Sequence, residues 1–209
     1  HNKVYGAGEL PFLDQYFRKY LNNFGEQQNI DEDLAKFKKN YLAIIEKMTK
    51  SDVVTDKAPL NFRWIGLIKL IFPNAIIIHC KRDCLENSWS IYKNDFEGGM
   101  LFSNDVKDIA SYYNIYQNLM TFWKNNFKKE IYDLNYEDLI NNSESKIREI
   151  ITFCGLDWQE KCLEYYNNKR SIKTVSFNQA RKPIYKDSLK GATKYENYIQ
   201  DLKNALSSS

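Results

Sequence analysis

The run "AIIIHC", residues 75 to 80, gives way at once to Lys81, Arg82 and Asp83 and then to a helical pattern, and few folds accommodate that order. A short continuous apolar run bounded by Pro73 and a charged triplet is the mark of a strand buried on both faces, as in parallel sheets covered by helices. The rest of the chain alternates in the same way. "KVYGAG" (3 to 8), Val53 to Thr55 within "DVVTDKAP" (52 to 59), and "EIYDLNYEDLI" (130 to 140) read as further strands. Between them, "PFLDQYFRKYLNNF" (11 to 24), about 33 to 49, "LNFRWIGLIKLIF" (60 to 72), about 84 to 95, and 105 to 127 carry apolar residues at helical spacing. More helices are expected near 144 to 154, 158 to 167 and 193 to 206. Strand and helix alternate without hairpin turns, so the expected class is α/β, a parallel sheet flanked by helices. The 209 residues suit one domain, 1 to 209, whose part from about 143 onward is helical.

Composition serves mainly to exclude. Thirty basic against 27 acidic residues leave a net charge of +3, far from the dense basic footprint of a nucleic-acid binder, so no nucleic acid is expected as partner. No apolar stretch approaches the roughly 20 residues that span a bilayer and no leader opens the chain, which points to a soluble, cytoplasmic protein. Cys80, Cys84, Cys154 and Cys162 are too irregularly spaced for a disulfide framework. With only His1 and His79 beside them they also make poor zinc ligands, so reduced thiols and no metal are expected.

In open parallel sheets, ligands bind beyond the carboxyl ends of the strands. Arg82 stands at such an end. Asp83 is suited to cap the next helix, with Glu86 completing a capping box, so the helix begins at Cys84. Ser90, seven residues beyond Asp83, falls on nearly the same face, about 10 Å along the axis. A guanidinium and a hydroxyl so placed can converge on one anion, and Arg suits phosphate because its planar fork donates two parallel hydrogen bonds. The same residues admit a plainer reading in which Arg82 pairs with Asp83 or Glu86. Other strand ends deliver Lys57, Glu9 and Tyr136. Tyr136 equally fits a packed core phenol, and Lys194 a solvated helix start.

"TDKAPLNFRWIGLIKLIFPNAIIIHCKRDCLENSWSIYKNDF", with "GAGEL" before it and "LNYEDLI", "FCGLDW" and "SIKTVSFNQARKPIYKDS" after it, resembles the sulfotransferases of the bacterial and protein-tyrosine type over nearly the whole chain. The resemblance implies a P-loop-NTPase-like parallel sheet flanked by helices. It implies transfer of a sulfuryl group from 3'-phosphoadenosine 5'-phosphosulfate (PAPS), without a metal, to the hydroxyl of a peptide tyrosine, a sugar or a small molecule. It further implies that Arg82 and Ser90 grip the 3'-phosphate and that Lys57 stands near the sulfate and its bridging oxygen. Glu9 then matches a general base, Tyr136 a neighbour of the adenine, and Ser176 with Lys194 late-chain contacts to the nucleotide. Bacterial relatives often carry tetratricopeptide repeats upstream, which implies such a region in a full-length protein.

The sequence departs from the family pattern in places. The family's first strand and its Pro-Arg-Ser-Gly-Thr type loop, whose backbone amides hold the 5'-phosphosulfate, occur nowhere in the 209 residues. The expectation is an N-terminally shortened sulfotransferase that turns over weakly or not at all, with a non-catalytic nucleotide- or protein-binding relative as the alternative. A nucleotide kinase would need a Walker-type loop and a magnesium carboxylate, neither of which is visible. Cys84 replaces the family's Pro at a helix N-terminus beside Lys81 and Arg82, a setting able to lower a thiol pKa, with a harmless replacement as the plainer reading, and Ala192 replaces a common Trp. Segments 25 to 50 and 96 to 112 are expected as acceptor-cleft walls, with "NDFEGGMLFSND" (94 to 105) as a flap; surface helices and a connecting loop are the plain alternative.

Overall fold

The chain was described from a computed structural model that covers residues 1–22, 29–94, 96, 100–168 and 191–207. It divides into two compact units, His1–Ile77 and Ile78–Ser209.

The first unit pairs two parallel strands, β1 (Val4–Gly8) and β2 (Val53–Asp56), through helices α1 (Phe12–Asn22) and α2 (Ile30–Met48). Asn29 caps α2, its side chain accepting from the Glu32 amide at 3.2 Å, so the helix starts three residues ahead of the expected Asp33. The segment expected as one helix over 60 to 72 opens instead as a 3-10 turn, Pro59–Trp64, and becomes α3 only over Ile65–Ile71. Pro59 at the first position, without an N–H to spare, starts that turn. The core is aromatic. Phe17 is fully buried, its ring 5.7 Å from that of Phe37 and 5.6 Å from that of Trp64, with Leu13, Tyr41, Ile45, Ile68 and Ile71 around them. Asp14 closes the edge of this core by accepting from Arg63 and Arg18 at 2.7 Å and from the Trp64 indole at 2.9 Å. Burial alone would raise its carboxyl, but those donors outweigh it and hold Asp14 below the usual carboxylate range.

The second unit contains β3 (Ile77–Lys81, entering from the first unit) paired with β4 (Ile131–Asn135). Its helices are α4 (Cys84–Tyr92), α5 (Val106–Asn126), α6 (Tyr136–Asn141), α7 (Ser143–Phe153) and α8 (Gln200–Ser207), joined in part by 3-10 turns over Leu101–Asn104, Glu160–Asn167 and Thr193–Tyr198. Ile109, Ala192, Ile199 and Leu202 form a buried apolar cluster in it, packed by Leu85, Trp89 and Phe102. α4, α5 and α8 thus share one core. Both units are α/β, as expected, and no helix among the described residues is long and apolar enough to cross a membrane.

The apolar run at 75 to 80 is only partly strand. Lys69 folds back to donate to the carbonyls of Pro73 and Ala75, and the Ala75 amide bonds Phe72 at 2.9 Å, so residues 73 to 76 form a held turn and β3 begins at Ile77. Burial on both faces does not hold either. His79 is buried, whereas Cys80 is exposed and Ile76 keeps 43% of its surface in water.

His79 is the centre of a polar cluster. Its Nδ1 lies 2.7 Å from Asp133 Oδ1 and its Nε2 2.6 Å from the Tyr116 hydroxyl, while Lys124 and Lys81 reach Asp133 Oδ2 at 2.6 and 3.5 Å. A neutral imidazole donating to Asp133 and accepting from Tyr116 satisfies every partner. Burial holds the His79 pKa below its ordinary value despite Asp133, and Lys124 and Lys81 push the same way. The unfolded chain therefore binds more protons as pH drops below about 6.5, and the stability from this cluster, full above that range, declines on acidification. The melting temperature is expected to fall between pH 7.5 and 5.5, with a flatter profile for His79→Gln; a pH-independent melt of the unmutated chain would contradict it.

Candidate functional site

The chemistry-bearing residues of the first unit stand at the carboxyl ends of its strand pair. The register runs Val4 to Val53, Tyr5 to Val54 and Gly6 to Thr55, then slips so that Gly8 faces Asp56. Gly8 has φ +83, the left-handed region that a side chain would strain, and its carbonyl accepts from the Lys57 amide at 2.8 Å. This bulge sets the residues after each strand side by side. Glu9 and Lys57 leave the sheet together, and their side chains form an ion pair.

Asp56 fastens this corner from within. One carboxylate oxygen accepts from the Leu10 amide at 3.3 Å and the other from the Tyr41 hydroxyl at 2.9 Å, tying the end of β1 to α2. Burial raises the Asp56 carboxyl and the Tyr41 phenol, and the two bonds offset part of that effect on Asp56. Sequence reasoning passed over Asp56, because nothing local distinguishes it from the ordinary end of a strand.

In the second unit, Arg82 follows β3 directly. Its guanidinium lies 5.4 Å from the centre of the Tyr136 ring and 3.5 Å from Glu86 Oε2, so the plainer pairing with Glu86 does occur. Tyr136 is the first residue of α6 rather than the last of β4, which ends at Asn135. Ser90 sits on α4, partly buried, two turns from the cap, and Lys194 is exposed within the turn that precedes α8. Ser176 lies outside the described residues, as does part of the expected flap.

One local expectation needs correction. Asp83 does cap α4, accepting from the Glu86 amide at 2.9 Å, but Glu86 does not complete the box. The Asp83 amide goes to Glu137 at 2.9 Å, and the Glu86 carboxylate accepts from the Ala192 amide with both oxygens at 3.0 Å. A tertiary partner outcompetes the local one. Burial pushes the Cys84 thiol pKa up, with Asp83 adding to that and hydrogen bonds with Tyr113 and Ser88 offsetting part of it, as suits the plainer reading of that residue. All four cysteines are free. Among the described residues, no group of three or more His, Cys, Asp or Glu is arranged to hold a metal.

A profile of the sulfotransferase family matches residues 7–160, and the chain belongs to that family. An uncharacterized protein from Aquifex aeolicus (strain VF5) is similar to it, 37% identical over 217 residues that cover 95% of this chain and 28% of that protein. The chain thus spans little more than a quarter of that relative.

Proposed function

We propose that this chain serves transfer of a sulfuryl group from PAPS to a hydroxyl acceptor, a peptide tyrosine, a sugar or a small alcohol, with residues 1 to 209 acting as one sulfotransferase domain. The reading is supported most by the joint emergence of Lys57 and Glu9 from adjacent parallel strand ends, inside the stretch that matches the family.

In this reading Glu9 takes the acceptor's proton as its oxygen attacks sulfur. A new S–O bond forms while the S–O bond to the 5'-phosphate breaks, and the electron pair leaves with adenosine 3',5'-bisphosphate. Lys57 offsets the charge gathering on that leaving oxygen. Arg82 and Ser90 take the 3'-phosphate, Tyr136 lies against the adenine, and Ser176 with Lys194 add nucleotide contacts.

Incubated with donor carrying labelled sulfur and a simple phenol, the chain is expected to yield labelled aryl sulfate. Lys57→Ala should slow that transfer by about a hundredfold to a thousandfold, with a smaller effect on donor KM. A second reading is a non-catalytic nucleotide- or protein-binding relative of the fold. Donor binding without transfer would favour its nucleotide-binding form, and failure of both binding and transfer would overturn the two nucleotide readings together.

A further inference from the structure

Glu86 is an unusual residue for its place. Only 8% of its surface is exposed, yet it is a carboxylate on the first turn of α4, where solvent normally serves. Both its oxygens lie 3.0 Å from the Ala192 amide, a partner 106 residues later, and Oε2 is also 3.5 Å from the Arg82 guanidinium. One buried side chain therefore touches the strand-end cation and the late segment at once. The fit is close: a Cβ built on Gly191 would come within 3.3 Å of Glu86 Oε2, tighter than ordinary contact allows. Around this bond the late segment packs onto α4, with Ala192 1% exposed and the Tyr195 ring 5.0 Å from that of Trp89.

We infer that Glu86 is a positioning residue of the nucleotide site: it fixes the turn Gly191–Ala192, and hence Lys194 two residues on, against the Arg82 end of β3. This rests on the reading of Arg82 and Lys194 as nucleotide contacts. A carboxylate beside an anion-binding Arg would by its charge alone repel a phosphate, so its presence there needs a compensating role. Fixing the backbone and orienting the guanidinium fork supplies one, since bidentate phosphate binding depends on geometry as well as charge.

The two accounts predict opposite signs. If Glu86 positions, Glu86→Ala weakens binding of adenosine 3',5'-bisphosphate by about tenfold or more, the scale of a lost hydrogen bond to a charged group. Glu86→Gln, which keeps an oxygen for Ala192 while shedding the charge, should bind at least as tightly as the unmutated chain. Gly191→Ala leaves every polar group in place and asks the carboxylate to give by only a few tenths of an ångström, and should weaken binding by less than Glu86→Ala. If Glu86 is only a counter-charge, Glu86→Ala tightens binding, and that outcome overturns the inference. Hydrogen exchange at the Ala192 amide gives an independent readout, expected to quicken by about tenfold or more in Glu86→Ala but not in Glu86→Gln. Unchanged exchange in Glu86→Ala also overturns it. Absence of nucleotide binding by the unmutated chain, with the exchange pattern as expected, would instead sink the nucleotide reading and leave the Glu86 clamp a structural one.

Discussion

Phe17→Ala is expected to destabilise the first unit by about 3–5 kcal/mol, the cost of emptying a filled aromatic site. Among the described residues of that unit, Phe17 is the one large residue with no exposed surface, and its ring touches both α2, through Phe37, and the Pro59–Trp64 turn, through Trp64. Those contacts hold α1 and α2 in place, and α2 carries the Tyr41 that fastens Asp56. A loss of this size is a large part of the roughly 5–15 kcal/mol that stabilises an ordinary domain. Phe17→Leu keeps most of the volume and should cost below about 1.5 kcal/mol. Hydrogen exchange of α1 and α2 amides measures both. A change below about 1 kcal/mol for the alanine variant would show that the core closes around the gap.

Arg82→Ala should weaken adenosine 3',5'-bisphosphate binding by about a hundredfold, and Arg82→Lys by about tenfold, because lysine keeps the charge but loses the two-pronged fork. The ring of Tyr136 and the carboxylate of Glu86 hold the guanidinium plane in this orientation. The alanine variant should still fold. Glu86 keeps the Ala192 amide on both oxygens, so no buried charge is left without a donor. A cooperative melt with unchanged affinity would remove Arg82 from the site, and equal binding by Arg82→Lys would reduce its role to charge alone.

The sequence made the local part of this fold legible and the tertiary part much less so. β1, β2, α1, α2 and α5 follow from apolar spacing, although the Asn29 cap that starts α2 three residues early was not read from it. The start of β3 did not follow, because Lys69 holds the carbonyls of Pro73 and Ala75 and no period in the apolar run reports that. Glu86 met the signature of a capping box, but its partner Ala192 is far along the chain. Of the candidate site, the positions of Glu9, Lys57 and Arg82 at strand ends were legible from where charge follows an apolar run. What fastens them, Asp56, Tyr41 and Glu86, was not, since burial gives those groups their roles and burial is a property of the folded chain.

The central claim is that this sulfotransferase-family chain recognises a 3'-phosphorylated adenine nucleotide through Arg82 and its neighbours. Calorimetric titration of the unmutated chain with adenosine 3',5'-bisphosphate, set beside adenosine 5'-monophosphate, tests it most directly. The account predicts micromolar binding of the first and at least about hundredfold weaker binding of the second, which offers Arg82 nothing at the 3' position. Equal affinity for the two, or no binding of either by a chain that melts cooperatively, would contradict it.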